Sequence, residues 1–317
     1  MRLSDDLIRA HSDMVFGSAR RLFSLKGRAS HHAWLLAFSA LAIVFAAFAE
    51  PVPDTCEIHY PSDAGIAWTC DRIGRHDTLT GLFGSHWRGV LRFNRIDRRH
   101  IYPGVCIKVP DNLRQVHNFT PMPKRYAPAA DLRKFILVSL TEQFLGAYDY
   151  GKLVMSFPVT SGDSTYPTPD GLFKVTAYDQ LHSSSVYDIE GTSTPYPMHY
   201  ALRFFINAQG VADWIHGRDV PGYAASHGCV GLDDEQMQKQ YYGDPRHPIL
   251  EDARTLYEWA IAPHPDDGRF HDLADGPTVL IVGDAPDFPP RPGKDATKLH
   301  RRARSRHVSS ASASCGK

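Results

Sequence analysis

The chain has 317 residues, room for about two domains plus ends. Its 43% hydrophobic content supports a buried core and excludes a disordered chain. Lys and Arg number 35 and so do Asp and Glu, so no global field draws the protein toward nucleic acid or acidic partners, and any electrostatic function is local.

The N-terminus reads as an export segment. Residues 1–32 are mixed and carry Arg20, Arg21, Lys26 and Arg28 ahead of an Ala-rich apolar run, residues 33–49. That run sits at the lower limit for a spanning helix, roughly 17 to 25 residues, and the flanking charges place the N-terminus in the cytoplasm and the rest outside. Ala47-Phe48-Ala49 before Glu50 has the small residues of a cleavage site. Signal peptide and signal anchor both stay open. Arg20-Arg21-Leu22-Phe23, followed by Lys26, resembles a twin-arginine signal, the alternative being an ordinary basic n-region. Either way the working part is exported to the periplasm or cell envelope, with the inner membrane as a partner if the segment is uncleaved.

Residues 50–67 are rich in proline and polar residues and read as a linker. A small α+β segment follows over 68–112: a weakly marked strand near Trp68 to Ile73, a helical pattern opening at His76, the run Val90 to Ile96, a Pro103-Gly104 turn and a strand ending in Val109-Pro110. The asparagine after an apolar helix, the Pro-Gly turn and the final strand resemble a lysin motif, which implies a β-α-α-β module that binds the sugar strands of peptidoglycan. A structural spacer is the alternative. Residues 113–131, with Pro121, Pro123 and Pro128, read as a second linker. From 132 to 283 short β-rich runs alternate with turn signals, among them Phe135 to Leu140, Lys152 to Val159 and Thr168-Pro169-Asp170-Gly171. This predicts a mainly β sandwich or barrel, with one helix over Asp234 to Tyr241. Residues 284–317 form a basic, serine-containing tail expected to be disordered.

Chemistry concentrates in Trp214-Ile215-His216-Gly217 and Ser226-His227-Gly228-Cys229-Val230. A cysteine nucleophile acts as thiolate, and nearby imidazoles lower its pKa or take its proton. Gly228 suits a tight turn in which the N–H groups of Gly228 and Cys229 face a developing oxyanion. The five cysteines are Cys56, Cys70, Cys106, Cys229 and Cys315. An odd count in an exported protein leaves at least one thiol unpaired, as a catalytic Cys229 requires. A disulfide is expected among the first three, Cys56 with Cys70 being one choice, and the spacing leaves the connectivity open.

This constellation resembles the signature of the L,D-transpeptidase catalytic domain of bacterial cell-wall enzymes. Phe135 to Val138, Gly151-Lys152, Phe157-Pro158-Val159, Thr168 to Gly171, Met198-His199-Tyr200 and Thr278 to Ile281 follow in that family's order. The resemblance implies a two-step acyl transfer between peptidoglycan stem peptides. Cys229 is then the nucleophile and His216 its general base, while His227 orients or tunes the site. Ser226 hydrogen-bonds within the turn, Gly228 and Gly217 serve oxyanion or orienting roles, and Tyr200 and Arg218 bind substrate. Two departures stand out. The spacing from His216 to Ser226 is short, and Gly231 occupies a position that is commonly arginine or asparagine; Arg218 or Arg203 is the candidate substitute. Hydrolysis alone, as a carboxypeptidase or amidase, and a non-catalytic peptidoglycan-binding protein are the alternatives. No Cys-x-x-Cys or His-Glu-x-x-His pair supports zinc, so neither metal nor cofactor is expected, and nucleic acid is not an expected partner.

Overall fold

The computed structural model describes residues 54–288 and Cys315. The expected export segment and nearly all of the basic tail lie outside those residues. Among the described residues no helix is long and apolar enough to cross a membrane.

The N-terminal part is built in the order β1 (Trp68–Arg72), α1 (Leu79–Phe83), α2 (Trp87–Asn94) and β2 (Cys106–Pro110). β1 pairs antiparallel with β2, Trp68 opposite Pro110 and Arg72 opposite Cys106. Thr78 caps α1 by accepting from the Gly81 N–H at 3.1 Å, which satisfies one of the donors a helix start leaves over. Asn94, the asparagine that ends α2, fastens that helix to β2. Its amide donates to the carbonyls of Val90 and Lys108, and its Oδ1 accepts from the Lys108 N–H. The order β-α-α-β is the one expected from the sequence.

The two proline-rich stretches, expected as linkers, are instead packed. Cys56, Ile58 and Tyr60 are buried in the first. In the second, Val116, Phe119, Met122 and Ala129 join one apolar cluster with Phe93 of α2 and with Phe135, Phe144 and Tyr148 further on. Proline stops regular structure but leaves its apolar neighbours free to be buried, at about 1.5–3 kcal/mol for each large side chain. The described residues from Asp54 onward consequently belong to one compact unit.

The remainder is a β-sandwich. One sheet has the order β5 (Lys152–Pro158), β4 (Phe144–Asp149), β3 (Phe135–Ser139), β14 (Thr278–Val282), β6 (Gly171–Lys174). The other runs β12 (Val230–Asp233), β11 (Ala212–Arg218), β10 (Ala201–Ile206), β7 (Ala177–Asp179), β13 (His271–Asp272). A separate hairpin, β8 (Ser183–Asp188) with β9 (Pro195–Pro197), stands beside them. The unbroken apolar run of β3 is explained by burial on both faces: Ile136 and Val138 enter the core cluster that also holds Leu202, Ile215 and Val230, while Phe135 and Leu137 enter the cluster shared with α2. Two helices, α3 (Glu235–Tyr242) and α4 (Asp252–Ile261), follow β12. The first matches the expected helix and is capped by Asp234, which accepts from the Met237 N–H.

A buried ionic network closes the seam between the β-α-α-β segment and the sandwich. Arg95, left-handed (φ 53°) at the end of α2, has no exposed side-chain surface and pairs with Asp63 and Glu142, each at 2.9 Å. It also donates to Ser62 Oγ and to the Glu142 carbonyl, and the Tyr60 ring lies 3.9 Å from its Cζ. Lys108 adds a second cation on Asp63 at 2.5 Å. A few residues on, Asp97 accepts from the Val220 N–H and from Gln238, and Arg98 binds Glu235 through two nitrogens. The turn after α2 is thereby held against the end of β11.

Candidate active site

β11 and β12 are parallel, with Ile215 opposite Val230 and His216 opposite Gly231. Alternation along β11 places Trp214, His216 and Arg218 on one face. Cys229, one residue before β12, lies beside the first of these, and the Trp214 N–H points at its Sγ from 3.5 Å. A thiol, an imidazole and a guanidinium therefore follow one another along a single face. Cys229 is the one free cysteine among the described residues.

The turn that carries Cys229 is tied from both sides. Ser226 Oγ donates to the Cys229 carbonyl at 2.5 Å and accepts from the Gly228 N–H at 3.2 Å, so Ser226 does hydrogen-bond within the turn. Gly228 has φ 118° and no room for a side chain, since a Cβ there would meet Asp213 Oδ1 at 2.6 Å. Its carbonyl accepts from Thr168 Oγ1 at 2.8 Å, and the same hydroxyl accepts from the Gly162 N–H. A planar trans peptide whose carbonyl is held that way turns the Cys229 N–H to the opposite side. Of the two N–H groups expected to face an oxyanion, that of Gly228 is taken by Ser226, which leaves that of Cys229 as the candidate.

His216 is 3% exposed, and its Nδ1 lies 2.8 Å from the Gly217 carbonyl. A carbonyl only accepts, so Nδ1 carries the hydrogen and Nε2 keeps the lone pair a base needs. Gly217 orients the imidazole in this way, and its own N–H is fixed on the His199 carbonyl. Burial, with the Arg218 charge second, pushes His216 down to about 3. Burial pushes the Cys229 thiol up to about 12, against the Trp214 N–H, which favours the thiolate. Both shifts favour neutral thiol and neutral imidazole at rest.

The other expected residues fall into two groups. Arg218, the candidate substitute for the residue that Gly231 replaces, lines the cleft. A Cβ on Gly231 would meet Arg218 Cδ at 2.0 Å, so the stem of Arg218 fills the space the glycine leaves. Arg218 Nε is buried without a partner. Arg203 is excluded from this role, being paired with Asp272 at 3.1 Å. His227 is exposed between two rings, Tyr187 at 4.6 Å and Tyr166 at 4.7 Å; it links the turn to the β8–β9 hairpin. Tyr200 is a correction: left-handed at the start of β10 (φ 56°), it packs on Tyr257 and is not among the residues lining the cleft.

The cleft is a cavity of about 820 Å³. Sequence reasoning missed several of its walls. Tyr187 and Tyr196 come from the β8–β9 hairpin, Asp213 from β11 and Tyr242 from α3, while Arg99 comes from the turn after α2. Arg99 lies 4.1 Å from the Tyr242 ring and 3.4 Å from Asp219, which also accepts from the Tyr196 hydroxyl. Thr168, which holds the Gly228 carbonyl and is not among the lining residues, had a signal in its Thr-Pro-Asp-Gly run. The sulfurs that come close enough to hold a metal are committed to the disulfides Cys56–Cys70 and Cys106–Cys315.

Residues 133–278 match the family model of the L,D-transpeptidase catalytic domain (YkuD). This part of the chain is similar to that family's catalytic domain. The chain is also similar to solved L,D-transpeptidases. One from Stackebrandtia nassauensis is 22% identical, with 55% of this chain and 65% of that one covered and a TM-score of 0.34. One from Xylanimonas cellulosilytica is 19% identical over 73% and 99% of the two chains, with a TM-score of 0.36. One from Mycobacterium smegmatis is 16% identical over 48% and 59%, with a TM-score of 0.31. The chain spans 59% of the length of the first such structures. No curated protein matches it.

Proposed function

We propose that the protein is a cysteine-dependent peptidoglycan L,D-transpeptidase. The observation that carries this reading is the alignment of Cys229, His216 and Arg218 along one face of the cleft. As Cys229 attacks the carbonyl before the terminal D-alanine of a stem tetrapeptide, His216 Nε2 takes the thiol proton and the Cys229 N–H meets the oxyanion. His216 then gives that proton to the departing amine, D-alanine leaves and a thioester remains. An amine of a second stem takes the acyl group, which makes a cross-link; water in its place makes a carboxypeptidase. Arg218 stands where the carboxylate of the leaving residue falls, two residues or about 7 Å along the strand from His216.

The β-α-α-β segment is proposed as a glycan-binding module. A cavity of about 130 Å³ between its first and last loops, lined by Ile73, Asp77, Leu79, Ile101 and Pro103 among others, supports a sugar site there. Such an enzyme works outside the cytoplasmic membrane, held there by the N-terminal segment if that segment is retained.

The test is mass spectrometry of the purified protein and its Cys229→Ala variant with disaccharide-tetrapeptide. The expected products are D-alanine and a cross-linked dimer, both absent with the variant. Tripeptide without dimer would favour the carboxypeptidase. No product from the folded wild type, with glycan binding kept, would leave the binding protein as the better reading.

A further inference from the structure

The walls of the cleft are electrically unlike at its two ends. Arg218 and Arg99 supply positive charge at one end, where Asp219 is shared among Arg99, Arg218 and His100. At the other end of β11 stands Asp213. Five residues of strand, about 17 Å, separate it from Arg218. The Asp213 carboxyl lines the cavity, lies against Gly228 of the nucleophile turn, and makes no hydrogen bond or ion pair among the described residues. Its charge is felt by Cys229 and by Tyr187 of the hairpin above.

A half-buried carboxylate beside a cysteine nucleophile raises the thiol pKa, which opposes thiolate formation. Acylation gains nothing from it. The second half of the reaction does, because the acceptor amine arrives as a cation and must be told apart from water. We propose that Asp213 is the acceptor-selecting residue of this cleft: its carboxylate binds the ammonium of the incoming stem peptide beside the Cys229 thioester. This rests on the acyl-transfer reading given above and adds the charge of the second substrate. The surplus proton of the ammonium passes to the Asp213 carboxylate and on to solvent. The amine nitrogen then bonds to the thioester carbon, the C–S bond breaks, and a second amine proton ends on the Cys229 sulfur. Burial lifts Asp213 to about 6, so the group is mostly ionised at neutral pH and still able to hold that proton briefly.

The experiment compares two nucleophiles on the preformed thioester of the full protein: a diamino stem tripeptide, cationic at neutral pH, and hydroxylamine, which is uncharged there. Thioester formation is followed by intact-protein mass spectrometry and the products by chromatography. Asp213→Asn is expected to lower transfer to the tripeptide about tenfold relative to hydroxylamine, the ratio being read on the preformed thioester so that any change in the first step drops out. Asp213→Glu is expected to retain the preference for the cation. An unchanged ratio in Asp213→Asn, or an equal fall with both nucleophiles, would overturn the proposal. So would a wild-type thioester that accepts water and hydroxylamine but never the tripeptide, a result that leaves the cysteine acyl-enzyme standing. Failure of the wild type to form any thioester would instead sink the reading on which the proposal rests.

Discussion

Two groups of sequestered charge can be set side by side in this molecule. At the seam, Arg95 and Lys108 meet Asp63 and Glu142, and Arg95 spends its donors on carboxylates, a hydroxyl and carbonyls. In the cleft, Arg218 has only the Ala225 carbonyl and the nearby Asp219 charge, with its Nε unmatched, and Asp213 has no hydrogen-bond or ion-pair partner among the described residues. An unpaired charge out of water costs free energy that a paired one largely recovers. The seam has thus been optimised for holding. The cleft keeps open interactions that a bound peptide can complete.

The comparison can be broken most severely at the base. His216→Ala is expected to lower kcat by about 10²- to 10⁴-fold while the protein stays folded, since general base catalysis supplies factors of that order; steady-state D-alanine release measures it. At the seam, Arg95→Met takes the ion-pair partner from Glu142 and leaves Asp63 with Lys108 alone, and is expected to cost about 3–5 kcal/mol in a denaturant titration. A cost below about 1 kcal/mol would mean that the network does not hold the two parts together.

Acid sharpens the contrast. The folded value of His216, about 3, lies below the ordinary histidine value of 6.5, so below pH 6.5 the unfolded chain binds a proton that the native site refuses. Stability is lost as pH falls through that window. Asp213 and Asp252, both lifted by burial to about 6, act in the opposite sense, favouring the fold at low pH and losing that contribution as pH rises toward 6. The difference between wild type and His216→Gln isolates the histidine. Between pH 6.5 and 5 the wild type is expected to lose about 2 kcal/mol more than the variant. The smallest effect is expected for Arg218→Ala, a roughly tenfold rise in the donor KM with kcat nearly kept; an unchanged KM would remove Arg218 from the donor site.

The turn that carries Cys229 was legible because it is local in sequence: Ser226, Gly228 and Cys229 lie within four positions and bind one another. Sheet alternation and the run of β3 were legible for the same reason. Tyr200 was misplaced because one left-handed residue redirects a side chain, and nothing in its neighbours announces the φ. Arg99 and Asp213 were not seen, since their place in the cleft depends on packing between distant segments. The proline-rich stretches misled because proline reports on backbone regularity and is silent about burial of the residues between.

Cys315, counted at first as part of the tail, is joined to Cys106 across 209 positions. The bond turns the sandwich into a covalent ring closed on β2. In the chain-entropy account, closing a loop of that length removes about 5 kcal/mol of freedom from the unfolded state. A ring also has no free end to pull. One backbone cut between residues 106 and 315 would leave both fragments attached, and a protease would need either a second cut or a reductant to separate them.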